Sequence, residues 1–168
     1  MKEKRTENPK VKVLFVCLGN ICRSPAAEGI MKKIVEKNSL DDVIEVDSAG
    51  TSGWHQGELP DERMRSHGQQ RGYDFSSRSR KFKQSDFDNF NYIIVMDEEN
   101  YRNISGMALT KEDEGKIYRM TDFSQKFSND HIPDPYYGGS KGFELVLDLL
   151  EDACESLLEK IKSEYKLN

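Results

Sequence analysis

The sequence predicts an α/β fold: three layers, with a four-stranded parallel sheet and helices on both faces. Three observations carry that expectation. Short apolar runs alternate along the chain with stretches of helical periodicity, and such alternation builds a parallel sheet that must be covered on both sides. The length, 168 residues, is ample for one core and short for two. The first apolar run ends in a compact polar loop that opens directly into a helix, and parallel sheets place their ligands at such strand ends.

A polar leader, residues 1–10, precedes what reads as a single domain, residues 11–168. Residues 11–16 alternate Val and Lys before a pure apolar run and form the first strand. Ala27, Ile30, Met31 and Ile34 then recur at helical spacing, after Pro25 in the first turn, where no amide hydrogen is needed. Residues 43–46 read as the second strand, 61–70 as a helix closed near Gly72, and 92–96 as a buried third strand. A short helix over 97–104 and a strand over 116–120 follow. From Phe143 to Ile161 one apolar stripe marks the closing helix.

Composition narrows the chemistry. The net charge of −5, with Lys and Arg dispersed, provides no basic stripe for nucleic acid. No apolar stretch is long enough to span a bilayer, and the first residues lack the apolar segment of a secretory signal, so no membrane partner is expected. Three cysteines, two of them in one loop, fit a reducing compartment, and a cytoplasmic location is inferred. His55, His67 and His131 have no metal-site spacing, and neither metal nor cofactor is expected.

The most informative run is Cys17-Leu18-Gly19-Asn20-Ile21-Cys22-Arg23-Ser24-Pro25. A cysteine at a strand end, followed by a compact loop and a helix start, places a nucleophile below a ring of backbone amides. Amides of such a loop and of a helix N-terminus hold an oxyanion, and the Arg23 fork adds charge-assisted bonds. Leu18 to Ser24 are therefore the expected phosphate-binding residues. The same surroundings favour thiolate over thiol at Cys17. Gly19 and Asn20 both tolerate positive φ, and the Asn20 amide can brace the loop. Ser24 can donate to the sulfur. Expelling an alkoxide or phenoxide also needs a proton donor. Asp134 is the candidate, in Pro133-Asp134-Pro135-Tyr136-Tyr137-Gly138-Gly139, where prolines stiffen the loop and glycines turn it.

On these residues the chain resembles the low-molecular-weight protein tyrosine phosphatases. The Cys17–Pro25 run matches their signature loop near the N-terminus, and Pro-Asp-Pro-Tyr-Tyr-Gly-Gly before a long helix matches their acid loop. The resemblance implies a metal-independent hydrolase that passes through a cysteinyl-phosphate, with Cys17 as nucleophile, Arg23 on the phosphate and Asp134 as general acid, then base. It implies that Ser48 hydrogen-bonds Asn20, that Ser24 supports the thiolate, and that Cys22 traps an oxidised Cys17 as a reversible disulfide. Trp54, Tyr136 and Tyr137 are the aromatic residues able to wall a slot for an aryl phosphate. Ile21 stands where similar arginine phosphatases carry threonine, which favours phosphotyrosine, in proteins and in small aryl phosphates, with inorganic phosphate as product. The chain departs from the family over Phe75 to Arg80, which lacks the histidine common there. Cys154, on the apolar face of the last helix, reads as inert core.

Two other readings are weaker. An arsenate reductase on this scaffold needs a further pair of thiols after the third strand, and the segment from Met96 has none. A phosphate-binding module without turnover needs neither nucleophile nor acid, yet Cys17, Arg23 and Asp134 are all present.

Overall fold

The computed structural model describes residues 11–136 and 138–167. Strand β1 (Val11–Cys17) is the centre of the design. It pairs in parallel with β2 (Ile44–Gly50) on one side and β3 (Tyr92–Val95) on the other, and β4 (Ile117–Arg119) pairs with β3. The order is β2-β1-β3-β4, all parallel. The connections therefore leave β1 in one direction for β2, and β3 leads away in the other to β4. The crevice at the carboxyl end of β1 lies at this switch.

Because side chains alternate across a strand, β1 feeds two cores. Val11, Val13 and Phe15 face a cluster built with α1 (Arg23–Lys37) and α6 (Ser140–Tyr165). Leu14 and Val16 face a second cluster with Phe82, Phe87, Phe90 and Ile104. Burial on both faces is why β1 and β3 read as nearly continuous apolar runs. The remaining helices are α2 (Glu62–Gln70), α3 (Asp86–Asn89), α4 (Glu98–Ser105) and α5 (Lys111–Gly115), with a 3-10 turn at Met120–Phe123.

The four predicted strands and the four predicted helices are present. Strand β2 runs four residues beyond the expected end at Val46, because Asp47 and Ser48 continue the pairing with Leu14 and Phe15 despite their polarity. Asp61 and Asp97 are not the first helical residues of α2 and α4. They are the caps, accepting bonds from Arg63 N and Asn100 N. Helices α3 and α5 were not anticipated. Among the described residues no helix is long and apolar enough to cross a membrane. The expected leader, residues 1–10, lies outside the described residues.

Candidate active site

Cys17 is the last residue of β1 and is 3% exposed. Its sulfur lies 3.0 Å from Ser24 Oγ. The direction of that bond follows from its neighbours. Asn20 Nδ2 donates to Ser24 Oγ at 2.7 Å and to Ser48 Oγ at 3.0 Å, and Ser48 Oγ donates in turn to Glu28 Oε1 at 2.5 Å. With a lone pair used by Asn20, the Ser24 hydroxyl has its proton to give, and the sulfur is nearer than the Ala49 carbonyl at 3.4 Å. The Ser48 to Asn20 contact is the one the sequence led us to expect.

The loop is held from below. Asn20 adopts φ 56°, a left-handed conformation that asparagine tolerates, whereas Gly19 does not need positive φ. Gly19 is small for another reason: a Cβ there would come within 3.1 Å of His55 Cδ2. Ser79 Oγ donates to Gly19 O and Arg80 N donates to Asn20 Oδ1, so the segment that lacks the family histidine braces the loop through a hydroxyl and a backbone amide. Glu28, buried in α1, takes the far end of the serine relay and is balanced by Lys32 at 2.5 Å. Among the described residues, the amides of Leu18, Gly19, Asn20, Ile21 and Cys22 donate no hydrogen bond within the protein. Five idle donors in the loop that follows a buried sulfur are what an anion cradle requires.

Arg23 enters from the first turn of α1. Its Nη1 donates to Asp97 Oδ2 at 2.7 Å and to Ile132 O at 3.0 Å, and its Nη2 lies 3.7 Å from Asp134 Oδ2. Burial opposes the Arg23 charge, but the Cys17 sulfur and Asp97 outweigh it and raise its pKa above the ordinary arginine value. Burial also pushes the Cys22 thiol upward, with help from Asp61 and Cys17, so Cys22 stays protonated at neutral pH. Cys17, Cys22 and Cys154 are all free thiols.

Asp134 lies across the pocket. Its Oδ1 accepts from Tyr136 N at 3.0 Å, which fixes the carboxylate against its own loop. A cavity of about 310 Å³ is lined by Cys17, Arg23, Asp134, Tyr136 and Trp54, so one space unites the sulfur, the cation, the carboxyl and two predicted aromatic residues. Trp54 is 87% exposed and stands at the rim. Tyr137 lies outside the described residues. Asp97, Glu28 and His55 were not picked out from the sequence. Asp97 lies two residues past the end of a central strand, a position that signals a site residue in parallel sheets. His55 lines the cavity and is paired with Glu58 at 2.7 Å, and nothing local marks it. No group of three His, Cys, Asp or Glu side chains among the described residues forms a metal cage.

A buried cysteine sulfur beside unpartnered amides, at the switch point of a parallel sheet and sharing its cavity with a carboxyl group, is the arrangement that suits a cysteine-dependent phosphatase. Comparison with known proteins specifies which kind. Residues 12–167 match the family described as low molecular weight phosphotyrosine protein phosphatase. The chain is 41% identical to the low molecular weight protein-tyrosine-phosphatase YfkJ of Bacillus subtilis, over 94% of this chain and 99% of that one. It superposes on a protein tyrosine phosphatase from Entamoeba histolytica, crystallised with Hepes in its active site. That match has a TM-score of 0.90 and 48% identity, covering 92% and 99% of the two chains. A Drosophila arginine phosphatase shares the fold at TM-score 0.84 and 36% identity, over 90% and 98%. The chain belongs to the low molecular weight phosphotyrosine protein phosphatase family.

Proposed function

We propose that this phosphatase works through Cys17, Arg23 and Asp134 on phosphotyrosine in proteins and on small aryl phosphates. Phosphate settles on the Leu18 to Ser24 amides and on the Arg23 donors that Asp97 and Ile132 O leave unused. The Cys17 thiolate attacks phosphorus in line with the ester oxygen; the S–P bond forms as the P–O bond breaks, and Asp134 gives its proton to the departing phenol. Water then attacks the cysteinyl-phosphate, Asp134 takes a proton from it, and the S–P bond breaks to release inorganic phosphate. The Ser24 hydroxyl, oriented by Asn20, stabilises the sulfur as it leaves. The thiolate is the nucleophile of the first step and Asp134 activates the water of the second, so the cycle as written calls on no metal-activated water.

The observation that carries this reading is the run of five idle amides around a sulfur that accepts the Ser24 proton. Trp54 and Tyr136 at the mouth suit an aromatic ring in transit to the sulfur. Ile21, where similar arginine phosphatases carry threonine, favours phosphotyrosine over phosphoarginine.

The test is a panel of phosphotyrosine peptide, phosphoarginine, phosphoserine and arsenate with reductant, run on the wild type and Cys17→Ser. Turnover of phosphotyrosine alone, lost in the variant, is the expected pattern. Faster turnover of phosphoarginine would overturn the substrate assignment, and arsenate reduction would overturn the reaction class.

A further inference from the structure

We infer that the surface beside the reactive pocket is a second, anion-accepting subsite, formed by Arg65 and Arg78, which takes an acidic side chain flanking the phosphotyrosine of a protein substrate. The inference rests on the phosphatase reading above and concerns what that phosphatase selects.

A cavity of about 390 Å³ adjoins the reactive pocket and shares Ile21, His55 and Tyr136 with it. A peptide whose phosphotyrosine enters the pocket between Trp54 and Tyr136 therefore lays a neighbouring residue over this shelf, which a small aryl phosphate does not reach. Both arginines line it. Each is anchored to the backbone by one donor: Arg65 Nε gives to Pro60 O at 2.9 Å, and Arg78 Nη1 gives to Gly57 O at 3.0 Å. A guanidinium carries five N–H donors, so most of each fork remains for a ligand. Among the described residues neither arginine makes an ion pair, in contrast to Arg23, Arg63, Arg71, Arg80 and Arg119.

The shelf is also rigid. Gly57 N donates to Ser79 O and Ser79 N donates to Glu58 O, which ties the strip bearing Arg78 to the one it leans on. Three carboxylates line the same cavity, and two are occupied: Glu58 by His55 and Asp61 by Arg63. The shelf is of mixed charge, and among the described residues Arg65 and Arg78 are the guanidiniums on it that no carboxylate engages. A planar fork that holds its orientation before the ligand arrives suits a carboxylate, which it can engage through two parallel bonds.

The experiment compares kcat/KM for three phosphotyrosine peptides that differ only in residues flanking the phosphotyrosine, Glu, Gln or Lys, with p-nitrophenyl phosphate as the small substrate. Wild type, Arg65→Gln, Arg78→Gln and the double variant are assayed at low and high salt. The wild type should prefer Glu over Gln, and Gln over Lys, by roughly three- to tenfold from first to last, an exposed-pair effect that salt weakens. The double variant should flatten that order while its p-nitrophenyl phosphate turnover stays at the wild-type value, which also certifies its fold. An order unchanged in the double variant, or absent from a wild type that turns over p-nitrophenyl phosphate normally, overturns the subsite alone. A wild type inactive on every phosphotyrosine substrate overturns the phosphatase assignment, and the subsite with it.

Discussion

Ser24 illustrates how much one side chain's hydrogen-bond inventory can decide. Its oxygen accepts from Asn20, so its proton is committed outward, and the sulfur 3.0 Å away receives it. Replacing Ser24 with Ala removes that donor and leaves the Asn20 amide one acceptor short. The second step of the cycle, where sulfur is the leaving group, should slow more than the first, so the cysteinyl-phosphate should accumulate; equal slowing of both steps would contradict the assignment. Asp134 carries a separate prediction. In Asp134→Ala the first step, phosphoryl transfer to sulfur, should slow roughly 10²–10⁴-fold on esters with poor leaving groups and far less on those with good ones, read as kcat/KM. A loss independent of leaving-group pKa would show that Asp134 donates no proton. Arg23 matters for geometry as well as charge: with Asp97 and Ile132 O engaging one side of the guanidinium, its other donors are turned to the pocket before phosphate arrives.

At the scale of elements, α1, α2 and the segment after α2 meet around a single ring. Phe75 lies between Gly29 of α1 and Gly68 of α2, and a Cβ on either glycine would intrude on the ring. Tyr73 stacks on the same ring at 5.5 Å. Gly68→Ala should therefore destabilise the fold by about 1–3 kcal/mol, read as a drop in denaturation midpoint, because overpacking outweighs the better helix propensity of alanine. Gly68→Ala combined with Phe75→Leu should recover part of it; a neutral or stabilising single variant would show that α2 tolerates displacement. The elements also show where sequence reading succeeds and where it stops. The loop after β1 was legible because nucleophile, turn, arginine and helix start are contiguous, so one local pattern contains the whole anion site. Asp97, Glu28 and the Ser79-Arg80 brace reach that loop only through the sheet order, which no local pattern encodes. Helices α3 and α5 span four and five residues, too few for a 3.6-residue period to emerge. The end of β2 was misread because the polar residues Asp47 and Ser48 break the apolar pattern that marks a strand.

At the scale of the molecule, α6 is the clasp. Arg71, just past α2, binds Glu144, Asp148 and Glu151 of α6 at 2.8, 2.9 and 2.5 Å, and Tyr73 donates to Glu151. Burial opposes the Arg71 charge, and the three carboxylates overcome it and raise its pKa. Arg71 in turn holds Glu144 below its ordinary value of 4.5, against a burial effect, with His67 adding to the fall. A carboxylate depressed in the folded state lends stability above its unfolded pKa and withdraws it as pH drops through the folded one. Wild-type thermal stability should therefore decline more steeply below about pH 4.5 than that of Arg71→Gln. Parallel curves would contradict the clasp. Because α6 begins directly after the loop of Asp134, the same clasp fixes the far end of the segment carrying the proposed acid.

The central claim is that phosphate passes through the sulfur of Cys17. Asp134→Ala, mixed with p-nitrophenyl phosphate and quenched within one turnover, should yield a peptide spanning Cys17 that is heavier by one phosphoryl group, since the good leaving group departs unaided while hydrolysis lacks its base. Release of p-nitrophenol with that peptide unmodified, or with the phosphoryl group on another residue, would contradict the account.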